Sequence, residues 1–151
     1  MLAELIFSYI VTIIAKTELY NEKQILPDQL EPTAQIYQLA GEEYNYPWQI
    51  LSAIHEKERN RYIGHKLSSA GAKGCMQFMP NTFKFYGVDG NRDGQIDIYN
   101  CTDAIYSAAN YLSKNKKVSS TWNSIWRYNH DNKYVSDVWR IAKDLGWKGG
   151  N

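Results

Sequence analysis

The sequence predicts an all-α, or nearly all-α, domain. Three observations carry this expectation. Apolar residues recur at three- and four-residue spacing in successive stretches from Pro32 to Leu145, as they do on one-faced helices. No stretch alternates apolar and polar residues in the manner of a half-buried strand, and no internal repeat is present. The 151 residues, 44% of them hydrophobic, suffice for one globular domain with a buried core.

Residues 2–15, LAELIFSYIVTIIA, are the one strongly apolar stretch, closed by Lys16. The run is too short to span a bilayer alone, carries Glu4, and lacks the basic start and small-residue cleavage site of a secretory signal. Three readings stay open for residues 1–16: a signal or anchor whose start lies upstream, a degenerate signal, or an amphipathic helix docked on the domain. The first is preferred, which makes residues 2–15 a membrane tether. Residues 17–31 are polar, include Pro27 and read as a linker, so the folded domain is expected over 32–151.

Pro32 opens a short amphipathic helix carrying Ile36, Tyr37, Ala40 and Tyr44, which ends before Asn45. Pro47 opens a second, from Trp48 to Arg59, with Leu51, Ile54 and Glu58 on one face. Periodicity is lost from Asn60 to Ser69 and Gly64 appears, so a loop is expected there. A short helix begins near Pro80, includes Phe83 and Phe85, and stops at Gly87. Helical patterns then cover Ala104–Lys114, Thr121–Tyr128 and Tyr134–Leu145.

Charge excludes some partners. Seventeen basic and sixteen acidic residues give a net charge of +1, which argues against nucleic acid, and no basic run suggests a polybasic membrane patch. The aromatic share of 14%, with five Trp and twelve Tyr, exceeds what a small core needs. Surplus Tyr and Trp line grooves where sugar rings stack, although helical packing also absorbs many of them.

An acid that continues an apolar stripe resists ionising. Burial disfavours the charged form, and a raised carboxyl pKa is what a general acid near neutrality needs. Glu58 is such an acid, whereas Glu56 lies on the far side of the helix and should be solvated. Taken alone, Glu58 is better explained as a helix-end carboxylate paired with a neighbouring Lys or Arg. The stretch that follows it, SSAGAKGCMQFMP, reverses that preference.

His55 to Arg59 reads HEKER, one residue away from the HExxH zinc helix, but a guanidinium stands where the second ligand belongs and cannot bind zinc. His65 and His130 have no metal-like spacing, and His55 reads as a packed or hydrogen-bonded residue beside Glu58. Cys75 and Cys101 could pair in an exported protein. As a thiol nucleophile Cys75 lacks any base that the sequence places beside it. The segment DGNRDGQIDIYNCTD, from Asp89 to Asp103, follows the opening of an EF-hand calcium loop: Asp89, Asn91 and Asp93 offer side-chain oxygens, Gly94 the sharp turn and Gln95 a carbonyl. Position twelve, normally Glu, is Asn100, with Asp97 and Asp103 available to complete the shell. Carboxylates this close repel one another unless a cation is present.

AIHEKE, SSAGAKGCMQFMP, YGVDGNRDGQID, DAIYSAANYL and RYNHDNKYVSDV, in this order and spacing, resemble the lytic transglycosylase family with the lysozyme-like, soluble lytic transglycosylase fold, in particular compact members from Gram-positive bacteria and phages. The likeness covers Tyr37 to Leu145. It implies a catalytic glutamate at Glu58, a substrate-binding signature at Ser68, Gly71, Met76 and Gln77, and a Tyr-Asn pair at Tyr128 and Asn129 whose Tyr supports the acid. It further implies a structural Ca2+ bound through Asp89, Asn91, Asp93, Gln95, Asp97 and Asp103, with no cofactor required for the chemistry. The residue after the family's glutamate is usually Ser or Thr, but here it is Arg59, and the expectation is that its side chain points away from the cleft.

The activity implied is cleavage of the MurNAc-GlcNAc β-1,4 bond in peptidoglycan with formation of a 1,6-anhydro ring, one glutamate serving as acid and base. The alternatives are a hydrolytic muramidase on the same fold, a catalytically silent peptidoglycan-binding module, and a calcium-responsive regulator. The partners expected are glycan strands, the location is the cell envelope or exterior, and the protein is expected to be a monomer.

Overall fold

The computed structural model describes residues 32–63, 68 and 70–149, and the expectations for residues 1–31 lie outside the described residues. Among the described residues six helices follow one another: α1 (Ala34–Glu43), α2 (Trp48–Ile63), α3 (Pro80–Tyr86), α4 (Cys101–Val118), α5 (Thr121–Tyr128) and α6 (Asn132–Asp144). Among the described residues there is no strand, only an isolated antiparallel bridge between Lys73 and Phe78.

α2, α4 and α6 differ at their limits from the sequence expectation, α6 running over Asn132–Asp144 instead of Tyr134–Leu145. α2 continues to Ile63 instead of ending at Arg59. Asn60 to Ile63 contain neither Gly nor Pro, and Arg is a good helix former, so the lost periodicity marks the point where apolar spacing stops and not where the helix does. α4 starts at Cys101, three residues before the expected Ala104, because the Asn100 side chain accepts hydrogen bonds from the backbone N–H groups of Thr102 and Asp103. It also runs on to Val118, with Lys116 and Lys117 in the last turn, where cations complement the helix dipole. α5 and α6 are capped in the same way by the side chains of Ser120 and Asp131.

α4 packs against α1, α2, α3 and α5, while α2 packs against α1, α4 and α6. The apolar stripe expected on α2 lies at the centre of this arrangement: Ile50, Leu51 and Ile54 are fully buried beside Ile105 and Leu112 of α4 and Val135 and Val138 of α6. Small buried residues of α4, Ala104, Ser107 and Ala108, share one face and let neighbouring segments approach closely. The Ser107 hydroxyl accepts the Val88 N–H at 3.0 Å. Tyr46, buried between α1 and α2, shares a 2.8 Å hydrogen bond with Ser124 of α5, and burial raises its phenol pKa. No helix among the described residues is long and apolar enough to cross a membrane.

Asp137 of α6 receives Lys57 of α2 at 2.8 Å and Lys133 of its own helix at 3.0 Å. Hydrogen bonds from these two ammonium groups lower its carboxyl pKa from 3.8 to about 2. A depressed carboxylate contributes stability above its unfolded pKa and loses it as pH falls through the folded value. Asp137→Asn is therefore expected to lower Tm at pH 6. Thermal melts between pH 6 and pH 2 should show the gap to the wild type closing below about pH 4, and a gap independent of pH would exclude this linkage.

Candidate active site

Glu58 is 2% exposed, one helical turn beyond the fully buried Leu51 and Ile54 face, whereas Glu56 and Arg59 on the same helix are exposed. Successive residues of a helix point about 100° apart, which is how a buried acid and an exposed guanidinium become neighbours in sequence.

The Ser68–Phe78 segment is held by its own backbone. Lys73 and Phe78 exchange N–H···O bonds of 2.8 and 2.9 Å, closing a short hairpin around Gly74, Cys75, Met76 and Gln77. Gly74 sits at φ 70°, and a Cβ there would lie 2.0 Å from the Ile98 carbonyl oxygen, so only glycine permits this approach. Gly71, at φ 82°, has open space where a side chain would be. Gln77 adopts φ 49°, which is strained for a residue with a Cβ, and its side-chain amide donates to the Gly74 carbonyl at 2.9 Å. The Ser68 hydroxyl accepts the Ala70 N–H at 3.2 Å. Cys75 is disulfide-bonded to Cys101, which ties the hairpin to the first residue of α4 and leaves no thiol nucleophile.

Tyr128, the last residue of α5, donates its hydroxyl to the Met76 carbonyl at 2.7 Å. Its ring lies edge-on to Phe78 at 5.6 Å and to Tyr111 at 5.8 Å. Burial raises its pKa well above 10.0, with Glu58 when ionised and then Tyr111 adding to the effect, so the phenol keeps its proton and remains a donor beside the glutamate. The Met76 side chain is fully buried, and its carbonyl is the group that meets Tyr128. Asn129 is the C-cap of α5 in extended conformation, and its side-chain amide has no hydrogen bond among the described residues. Three residues of this arrangement lie inside the stretches quoted above but have no role assigned from the sequence. Phe78 and Tyr111 clamp the Tyr128 ring, and Ile98 meets Gly74.

The Asp89–Asp103 segment forms one hydrogen-bonded web. Asp103, 1% exposed, accepts the N–H groups of Gly90, Asn91 and Asp97. The oxygens of Asp89 and Asn91 both face the Asp93 N–H, each at 3.1 Å, Asp93 accepts the Gln95 N–H at 2.8 Å, and Gly94 turns the chain at φ 88°. These clustered carboxylate and amide oxygens have the chemistry of a hard-cation site. Among the described residues the loop's carboxylates do not close into a group of three lying within 4.8 Å of one another. Asn100 is spent as the helix cap.

The aromatic surplus mostly packs. Trp122, Trp139 and Trp147 meet in sequence, tilted at 5.5 Å and edge-on at 4.5 Å, and Trp122 and Trp139 border a cleft of about 380 Å³ lined by none of the candidate site residues.

Membrane-bound lytic murein transglycosylase B of Escherichia coli is 46% identical over 55 residues, which cover 36% of this chain and 15% of that protein. The chain thus spans a small part of that relative's length. Among solved structures, the Escherichia coli lytic transglycosylase SLT35 in complex with calcium is similar at a TM-score of 0.62 and 18% identity, over 74% of this chain and 70% of that one. SLT35 in complex with bulgecin A is similar at 0.63 and 16% identity, over 86% and 82%. These structures share the fold. Residues 46–121, half of the chain and the whole stretch from before α2 to the start of α5, match the transglycosylase SLT domain. The chain belongs to the transglycosylase SLT domain family.

Proposed function

We propose that this protein is a peptidoglycan lytic transglycosylase that cleaves the β-1,4 bond between N-acetylmuramic acid and N-acetylglucosamine and leaves a 1,6-anhydro-muramyl end. The observation that carries the reading is a buried carboxylate, Glu58, beside the protonated Tyr128. The other buried acid among the described residues is Asp103, and both its oxygens are engaged by backbone N–H groups of its loop. A two-carboxylate glycosidase needs a base or nucleophile as well as an acid. One carboxyl group serves both needs if it acts twice.

Burial favours the protonated form of Glu58, which gives its proton to the glycosidic oxygen as the bond to the anomeric carbon breaks. The substrate's own acetamido group stabilises the oxocarbenium-like centre. Ionised Glu58 then takes the proton of the muramyl 6-hydroxyl, whose oxygen closes the ring on the anomeric carbon, so no water is consumed. Tyr128 orients Glu58 from a position fixed by the Met76 carbonyl. Ser68, Gln77 and Asn129 bind sugar hydroxyl or acetamido groups, Gly71 lets the glycan approach the backbone, and Met76 floors the groove.

The Asp89, Asn91, Asp93, Gln95, Asp97 and Asp103 loop would hold a structural Ca2+. Its clustered oxygens and the calcium complex of SLT35 support this reading. The glycan partner places the protein in the cell envelope or outside the cell, with residues 2–15 as tether and the catalytic domain acting as a monomer.

Digestion of purified cell walls followed by mass spectrometry of the released muropeptides tests the reaction. Anhydro products, one water lighter than hydrolytic ones, are expected, and hydrolytic products would make the protein a muramidase. Glu58→Gln should lower release by about 10²–10⁴-fold. If wild type and Glu58→Gln bind walls equally and neither releases product, the protein is a binding module. Tyr128→Phe leaves the Met76 carbonyl without its donor, and a drop in stability of about 1–3 kcal/mol together with roughly tenfold slower release is expected. Ca2+ at a hundred times its Kd should raise Tm by roughly 5–10 °C. Scanning fluorimetry should find that shift abolished in Asp89→Asn/Asp93→Asn, and no shift in the wild type excludes the site.

A further inference from the structure

We infer that, before the disulfide closes, Cys75, Cys101 and His55 form a metal site of the soft, zinc-binding class. One imidazole nitrogen and two sulfurs, contributed by α2, the hairpin and the first residue of α4, all lie within 4.8 Å of one another. His55 Nε2 is 3.7 Å from Cys101 Sγ. A tetrahedral zinc with bonds of about 2.0 and 2.3 Å separates a nitrogen and a sulfur ligand by about 3.5 Å, so this pair already stands close to ligand spacing. The two sulfurs need about 3.8 Å, which rotation of the partly buried Cys75 side chain away from Cys101 supplies.

The imidazole is oriented for the role. His55 Nδ1 lies 2.5 Å from the Tyr37 hydroxyl, and a hydroxyl accepts as readily as it donates. Tyr37 therefore accommodates the tautomer that carries its proton on Nδ1 and turns the Nε2 lone pair toward sulfur, filling the outer place that a carboxylate, carbonyl or water usually takes beside a metal-bound histidine. His55 and Cys101 are buried, whereas Cys75 borders the surface, so the metal enters from the hairpin side and solvent completes its fourth position. Metal and disulfide would be alternative clasps at one point, both fastening the hairpin to α4.

The chemistry balances with a phosphine as reductant. The S–S bond takes two electrons and two protons to give two thiols, the phosphine takes the oxygen of one water, and M²⁺ binding then releases the two thiol protons.

The experiment is an anaerobic Co2+ titration of the phosphine-reduced chain, followed by absorbance and far-ultraviolet circular dichroism. It reads metal binding and is independent of glycan cleavage. A thiolate-to-cobalt charge-transfer band saturating at one Co2+ per chain, displaced by Zn2+ and absent from the oxidised protein, is expected. His55→Gln should weaken Co2+ binding at least tenfold, and Cys75→Ser should remove most of the band. No band in a reduced chain that keeps its helical signal overturns the inference, as does a band of unchanged affinity in His55→Gln. Loss of the helical signal on reduction that Zn2+ does not restore overturns it too, because the cluster then needs the disulfide to exist.

Discussion

A hydrogen bond from the Tyr128 hydroxyl to the Met76 carbonyl joins the end of α5 to a hairpin 52 positions earlier in the chain. Its direction is fixed by chemistry: a carbonyl only accepts, and a phenol whose pKa is raised by burial and by Glu58 keeps the proton it donates. Removing the donor would strand a carbonyl in a protein interior, at a cost of about 1–3 kcal/mol. The neighbourhood of Glu58 inherits this constraint. The hairpin, the tyrosine and the buried acid come from three separate stretches, and this bond together with the Cys75–Cys101 bridge sets the hairpin's position relative to α5 and α4.

How much of this was legible in the sequence depends on whether a residue acts along its own helix or across the fold. Thr121–Tyr128 is read to the residue, because its apolar spacing and its helix limits coincide. Glu58 is visible because an acid interrupts an apolar stripe. The end of α2 is hidden, since Asn60 and Arg61 interrupt the apolar spacing yet are compatible with a helix. The start of α4 is hidden differently: Asn100 fits both a calcium-loop template and a helix cap, and only the fold decides between them. Phe78, Tyr111 and Ile98 act through contacts that close between distant segments, for which no local spacing exists. The cysteine pair stays open at the sequence level because two cysteines carry no geometry until the backbone brings them to 5.8 Å between Cα atoms.

Aromatic residues do a second job here. Helices of seven and eight residues, such as α3 and α5, are too short to persist alone. Edge-to-face contacts run from Phe83 through Phe78, Tyr128 and Tyr111 to Tyr86, linking α3, the hairpin, α5 and α4 in one chain of rings. Trp122, Trp139 and Trp147 do the same for α5, α6 and the residues beyond it. Tyrosine and tryptophan therefore supply area and orientation where short helices offer few side chains.

The bridge between Cys75 and Cys101 spans 26 positions, and α3 with the acidic loop from Asp89 to Asn100 lies inside the ring it closes, Asp103 falling two residues beyond it. That ring contains the described stretch poorest in helix and in buried side chains, from Gly87 to Asn100. Such a stretch has little apolar burial to offset the entropy lost on ordering it. A covalent ring of this size removes entropy from the unfolded chain instead, worth between about 3 and 4 kcal/mol on the chain-entropy account. The polar composition of the loop is thus tolerable because its order is secured from the unfolded side of the equilibrium, leaving its residues free to be chosen for oxygen chemistry instead of packing.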